Sequence, residues 1–118
     1  MNSEYIISKE QIMWINQRYG GSLRTDAEIE TALMLGKGKS MYRKIAYLLG
    51  AILVGHPFTD GNKRTALMVS LAVLESCQIR IEDKNKENLV EEILKIAKES
   101  ITDINRIERL VRYAITGN

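Results

Sequence analysis

Nine consecutive residues, His56-Pro57-Phe58-Thr59-Asp60-Gly61-Asn62-Lys63-Arg64, hold the only histidine, proline and phenylalanine of the chain, with an aspartate, an asparagine and two adjacent cations. An imidazole is the side chain that ordinarily changes charge near neutral pH, so His56 is the natural proton acceptor for an attacking hydroxyl. Asp60 is placed to hold Mg²⁺, which commonly takes one or two carboxylates plus substrate phosphates. Gly61 permits a positive φ or a close backbone approach. The amides of a helix beginning at Asn62 would present free N–H groups to an anion. Lys63 and Arg64 add positive charge there, and a guanidinium can grip a phosphate with two hydrogen bonds. Base, metal carboxylate, anion cradle and guanidinium together are what phosphoryl-type transfer requires. A purely structural reading competes with this one: His56 satisfies a helix C-terminus, and Asp60 and Asn62 cap the next helix.

The elements that must position this segment are helices. Arg43 to Val54 and Thr65 to Leu74 are apolar nearly all round, so both are expected to be enclosed by protein and to form the centre of the domain. Pro57 is expected to end the first of them and to fix the His56 backbone in an extended form. Ser8 with Gln11 reads as a capping box opening a helix through Ile12, Trp14, Ile15 and Tyr19, stopped by Gly20-Gly21. Thr25 with Glu28 reads as a second box, opening a short helix with Ile29, Ala32 and Leu33 inside. Ile79-Arg80-Ile81 reads as a short extended link. From Leu89 through Ile93, Ile96 and Ala97 to Ile107, Leu110, Val111 and Ala114 the chain keeps an amphipathic helical period. The expected architecture is a compact all-α domain over 1–118, with two buried central helices flanking the candidate catalytic loop.

Composition narrows the function classes. At 118 residues, 45% apolar and 27% charged, the chain has the makings of one soluble domain with its own core. A net charge of +2 does not by itself indicate nucleic-acid binding, which needs clustering on one face. Cys77 is the only cysteine, which excludes an intramolecular disulfide and any multi-cysteine metal site. Met1-Asn2-Ser3-Glu4 has neither a basic start nor a long apolar stretch, so no signal peptide is expected. The uncharged run from Ile45 to Phe58 falls short of the roughly 20 apolar residues of a membrane span. A cytoplasmic protein is the expectation.

The nine residues complete the pattern His-x-Phe-x-Asp/Asn-Gly/Ala-Asn-x-Arg and resemble the motif of the Fic/Doc family. The resemblance extends from about residue 5 to 115. Gly20-Gly21, Leu23-Arg24-Thr25-Asp26 and Glu30-Thr31-Ala32-Leu33 look like death-on-curing (Doc) proteins. So do Lys44 to Leu49, which lead into the motif, and Thr65-Ala66-Leu67, which follow it; Ile96 to Glu99 and the final helix are similar more loosely. Adenylylating Fic enzymes typically carry glycine after the motif asparagine and a second arginine three positions beyond the first; this chain has Lys63 and Leu67. Both departures match Doc, a kinase of a threonine in elongation factor Tu. The resemblance therefore implies an ATP- and Mg²⁺-dependent protein Ser/Thr kinase acting as a toxin. It implies His56 as general base, Asp60 on Mg²⁺, and Gly61, Asn62, Lys63 and Arg64 around the phosphates, with Arg64 also assisting catalysis. It implies Phe58 as a buried anchor of the loop. The alternatives are AMP transfer to a protein hydroxyl and a non-catalytic Fic/Doc binding module.

Fic-type enzymes are often restrained by a helix bearing Ser/Thr-x-x-x-Glu, and no serine or threonine here has glutamate four residues on. Restraint in trans by an antitoxin is the implied partner relation, with an exposed apolar groove to receive it; no membrane or direct nucleic-acid contact is expected. Gly38-Lys39-Ser40 imitates the tail of a phosphate-binding P-loop, but Leu33 stands where the earlier glycine belongs. That loop is either the family's flap, which positions the target peptide, or a solvated basic turn. Lys37, Lys39, Arg43 and Lys44 could serve RNA only with stacking aromatics, and Tyr42 alone is interleaved. Trp14, Met34 and Met68 are expected in the core, and Cys77 as a small buried hydrophobe near a helix end.

Overall fold

The computed structural model describes residues 7–118, which form six helices: α1 (Lys9–Gln17), α2 (Ala27–Leu35), α3 (Met41–Leu53), α4 (Asn62–Ser76), α5 (Asp83–Glu99) and α6 (Ile104–Thr116). The fold is all-α; among the described residues the only extended pairing is an isolated antiparallel bridge between Leu23 and Phe58. Helix α3 lies at the centre, against α2, α4, α5 and α6. Its near-absence of a polar face explains that place: Ile45, Ala46, Leu48, Leu49, Ile52 and Leu53 are all buried. Helix α4 is enclosed on one side only. Thr65, Ala66, Val69, Val73 and Leu74 are buried, whereas Met68 is exposed. The expectation of two enclosed helices thus holds fully for α3 and for one face of α4.

The ends of the helices show which local signals survive tertiary packing. At α1 the capping box forms as read: Ser8 Oγ accepts from Gln11 N at 3.1 Å, and Gln11 Oε1 accepts from Ser8 N at 2.7 Å. The box expected from Thr25 and Glu28 does not form. Asp26 is the N-cap of α2 without a side-chain cap bond, and Thr25 Oγ1 accepts only from Ala27 N at 3.3 Å. The Asp26 carboxylate is turned instead to Lys9 Nζ at 2.9 Å, and the same ammonium holds Glu30 at 2.7 Å. These hydrogen bonds push the Lys9 ammonium well above the ordinary lysine range and hold the Asp26 carboxyl below its usual value. One ion-pair triad therefore pins the start of α1 to the start of α2. The last third breaks at Ser100, in the left-handed region (φ 51°), and Asp103 caps α6 by accepting from Asn105 N and Arg106 N.

Several expectations about single residues are corrected. Trp14, Met34 and Met68 are exposed, not core; the Arg18 guanidinium lies 5.0 Å from the Trp14 ring centroid and covers it. Cys77 is exposed at the C-cap of α4. Two of the four cations considered for RNA are engaged elsewhere, while Lys37 and Lys39 are exposed. Lys44 is buried with Nζ on the Gly36 carbonyl at 2.9 Å, closing the C-terminus of α2, and Arg43 pairs with Glu108 and Asn105 of α6. Residues 79–81 link α4 to α5 without regular structure, with Ile79 and Ile81 packed on the core.

Candidate active site

The loop between α3 and α4 is shaped by what its neighbours leave no room for. A side chain on Gly55 would meet the Ala51 carbonyl and the Glu28 carboxylate, so the chain must leave α3 at a glycine. His56 follows in the left-handed region at φ 50°, not in the extended form expected from Pro57. Proline disfavours the right-handed helical region for the residue before it, and a left-handed residue is the common way to end a helix. A non-glycine residue held there costs on the order of 1–3 kcal/mol and persists only where its surroundings fix it.

Those surroundings are the segment between α1 and α2. Arg24 N donates to the Pro57 carbonyl at 2.7 Å, Thr59 N donates to the Ser22 carbonyl at 2.9 Å, and Ser22 N donates to Thr59 Oγ1 at 3.0 Å. On the other side of the loop, the Asn62 side chain accepts from Phe58 N at 3.3 Å and donates to the Phe58 carbonyl at 3.0 Å. Phe58 itself is 1% exposed, a buried anchor as the resemblance implies. Asn62 thus spends its side chain on fixing the loop and has its backbone N–H for an anion. Gly61 takes φ 75°, and a Cβ there would crowd the backbone and Cβ of Tyr19 at 3.2 and 3.0 Å. The helix N-terminus that follows leaves the amides of Asn62, Lys63 and Arg64 without acceptors inside α4.

This geometry brings the residues singled out in the sequence together. His56, Asp60, Gly61, Asn62, Lys63 and Arg64 all line one cleft of about 760 Å³. His56 is exposed at the cleft and makes no hydrogen bond among the described residues, so its ring is accessible to a substrate hydroxyl. The Arg64 guanidinium lies 5.9 Å from the centroid of the Tyr19 ring, which also lines the cleft. Asp60 Oδ1 accepts from Gly61 N at 2.7 Å, and its carboxylate is exposed at the cleft. No cluster of three metal-ligating side chains exists among the described residues. One carboxylate beside an anion cradle fits Mg²⁺ carried largely by substrate phosphates and does not fit an all-protein metal cage. Leu67, a turn beyond Arg64, is half-buried against the core and does not line the cleft. Neither does the loop 36–40, read as either a flap or a solvated turn; the segment hydrogen-bonded to the motif is 22–25.

Sequence reasoning missed three contributors. Asn16 of α1 is 1% exposed, and its Nδ2 donates to the Asp60 carbonyl at 2.8 Å and to Thr65 Oγ1 at 3.0 Å. It stands four residues after buried Ile12, and a polar residue at that spacing on the inward face was the available signal. Tyr19 supports Gly61 and Arg64. Leu94, Ala97 and Lys98 of α5 form a further part of the cleft wall, and no local pattern marks them.

The Fic/DOC family model matches residues 6–74, more than half of the chain, and the match contains the whole nine-residue motif. The chain belongs to the Fic/DOC family. Membership carries the broad activity with it: proteins of this family modify other proteins by transfer from a nucleotide substrate, ATP. A search of curated proteins found no match. No helix among the described residues of this Fic/DOC protein is long and apolar enough to cross a membrane.

Proposed function

We propose that this Fic/DOC protein is a kinase that transfers the γ-phosphate of ATP to a serine or threonine hydroxyl of a translation factor in the cytoplasm. The observation that carries the reading is Lys63: a lysine lines the cleft at the first turn of α4, where adenylylating relatives place glycine. AMP transfer requires the α-phosphate at the attack point and room beyond it for a diphosphate. A lysine side chain at that position competes for that room, and Leu67 on the next turn packs on the core and brings no second cation to the cleft. Transfer of the γ-phosphate asks only that one phosphoryl group reach His56. There His56 removes the proton from the target hydroxyl as its oxygen bonds to the γ-phosphorus. The bond from that phosphorus to the bridging oxygen breaks, and ADP leaves with the electron pair. The backbone amides at the start of α4, Lys63 and Arg64 hold the phosphates in line and balance the charge that builds on them. Asp60 would hold Mg²⁺, whose contribution when bound is to neutralise phosphate charge.

The same reading makes the protein a toxin restrained by an antitoxin in trans. An apolar cleft of about 520 Å³ between α2 and α3, walled by Ala32, Leu35, Tyr47, Ala51 and Val54, supports it. Its lining reaches Gly55, the neighbour of His56, so a helix seated there would act on the catalytic loop. Expression of the chain alone should arrest growth, and co-expression of its partner should restore it; harmless expression alone favours a non-catalytic module. The direct test is purified elongation factor Tu incubated with ATP labelled at either the γ- or the α-phosphate. Label from the γ-position alone is expected. Label from the α-position would transfer the assignment to adenylylation and leave the roles of His56 and Asp60 intact.

A further inference from the structure

Charge is spread unevenly over this chain. The seam where α3 meets α6 collects cations: Arg43 on α3, Arg109 and Arg112 on α6, and Lys37 and Lys39 on the loop that enters α3. Glu108 is the carboxylate within this seam, held by Arg43 Nε at 3.3 Å and Arg112 Nη2 at 2.8 Å. Lys37, Lys39 and Arg109 are exposed and carry no ion pair among the described residues. Five cations against one carboxylate leave this face at +4, twice the net charge of the whole chain, so the remainder is net negative. That is the clustering on one face which nucleic-acid binding needs and which net charge alone does not reveal. The fold also brings in aromatics that sequence order hides, since only Tyr42 is interleaved with the cations 37–44. The Arg112 guanidinium lies 4.6 Å from the Tyr42 ring centroid, and that of Arg43 lies 5.9 Å from the Tyr47 centroid. Tyr113, 55% exposed, stands four residues after Arg109 on α6, so an uncovered ring neighbours an unpaired guanidinium.

We propose that the α3–α6 face binds single-stranded RNA, with Lys37, Lys39 and Arg109 on phosphates and Tyr113 stacked on a base. Unpaired bases are recognised by stacking on tyrosine rings and guanidinium planes, whereas an acidic peptide would use the charge and leave the ring idle. The face is separate from the catalytic cleft. It lies at the start of α3, and His56 follows the end of that helix, so the 13 residues of α3, about 20 Å, stand between them. RNA held there leaves the cleft open to a protein substrate, and the inference does not depend on which part of ATP is transferred.

Fluorescence anisotropy of a labelled mixed-sequence RNA of about 16 nucleotides, titrated with the whole chain at several salt concentrations, tests this. The logarithm of affinity should fall linearly with that of salt. Lys37→Gln combined with Lys39→Gln should reduce the slope by about 1.4, because each single-strand phosphate contact contributes about 0.7. Tyr113→Ala should weaken binding about fivefold or more at an unchanged slope, and Tyr113→Phe should keep the affinity. All three positions are exposed, so thermal melts of these variants should match the wild type. Arg64→Ala should leave RNA affinity unchanged, which separates this face from the cleft. No binding by the wild type, or a loss caused by Arg64→Ala in place of the seam variants, would overturn the proposal. So would binding that Tyr113→Ala leaves intact and that heparin or phosphatidylglycerol vesicles reproduce at equal strength, since charge alone would then account for it.

Discussion

Replacement of Asn16 by alanine should loosen the catalytic loop from a helix that contributes nothing to the motif. The Asn16 amide is buried and ties the loop to the start of α4, through the Asp60 carbonyl at 2.8 Å and Thr65 Oγ1 at 3.0 Å. Its orientation is dictated, because a carbonyl oxygen only accepts and so must face Nδ2. Two hydrogen bonds of about 1 kcal/mol each are lost, and the buried Thr65 hydroxyl, left unpartnered, adds about 1 kcal/mol or more. An offset of similar size comes from the other half of the amide, since Asn16 Oδ1 is itself buried without a partner and disappears in the variant. The net cost is about 2 kcal/mol. For a chain of this size that corresponds to a fall in Tm of roughly 6–10 °C, read by circular dichroism. Transfer activity at a temperature where the variant is fully folded should fall too, because Asp60 and the start of α4 are then held by fewer bonds. An unchanged Tm together with full activity would show that Asn16 does not hold the loop.

Two further outcomes follow from the same site and its supports. His56→Gly should abolish transfer, a loss of about 10²–10⁴-fold for a general base, while raising stability by up to about 1 kcal/mol in chemical unfolding, since glycine relieves the left-handed backbone at φ 50°; a destabilised variant would show that His56 is not strained. Asp26 has its folded pKa depressed by Lys9, so the stabilisation is fully present above the ordinary carboxylate value of 3.8 and is lost as pH falls through the lowered one. Thermal melts of wild type and Lys9→Met should therefore differ near pH 6 and converge in strong acid, and a constant difference would contradict the triad's role.

What was legible in the sequence was local and contiguous. Ser8 and Gln11 make their box because both partners lie within one turn, whereas Thr25 and Glu28, equally well spaced, lose to Lys9, an ammonium seventeen residues away from Asp26. The motif was readable because nine neighbouring residues build most of the cleft. Asn16 and Lys98 were not, since their places depend on how α1 and α5 pack against α4; the Asn16 bonds span 44 and 49 residues. Apolar periodicity put Trp14, Met34 and Met68 inside, although the pattern records only which residue types recur and cannot tell an uncovered stripe from a covered one. The left-handed His56 escaped because proline excludes one conformation of its predecessor without selecting among the rest.

The central claim is that this cleft transfers a phosphoryl group from ATP and that His56 is the base. Intact-mass measurement of purified elongation factor Tu after incubation with ATP, Mg²⁺ and either wild type or His56→Gly tests it most directly. A phosphate-sized increment is expected with the wild type and none with the variant. A nucleotide-sized increment, or an increment that survives the loss of His56, would contradict it.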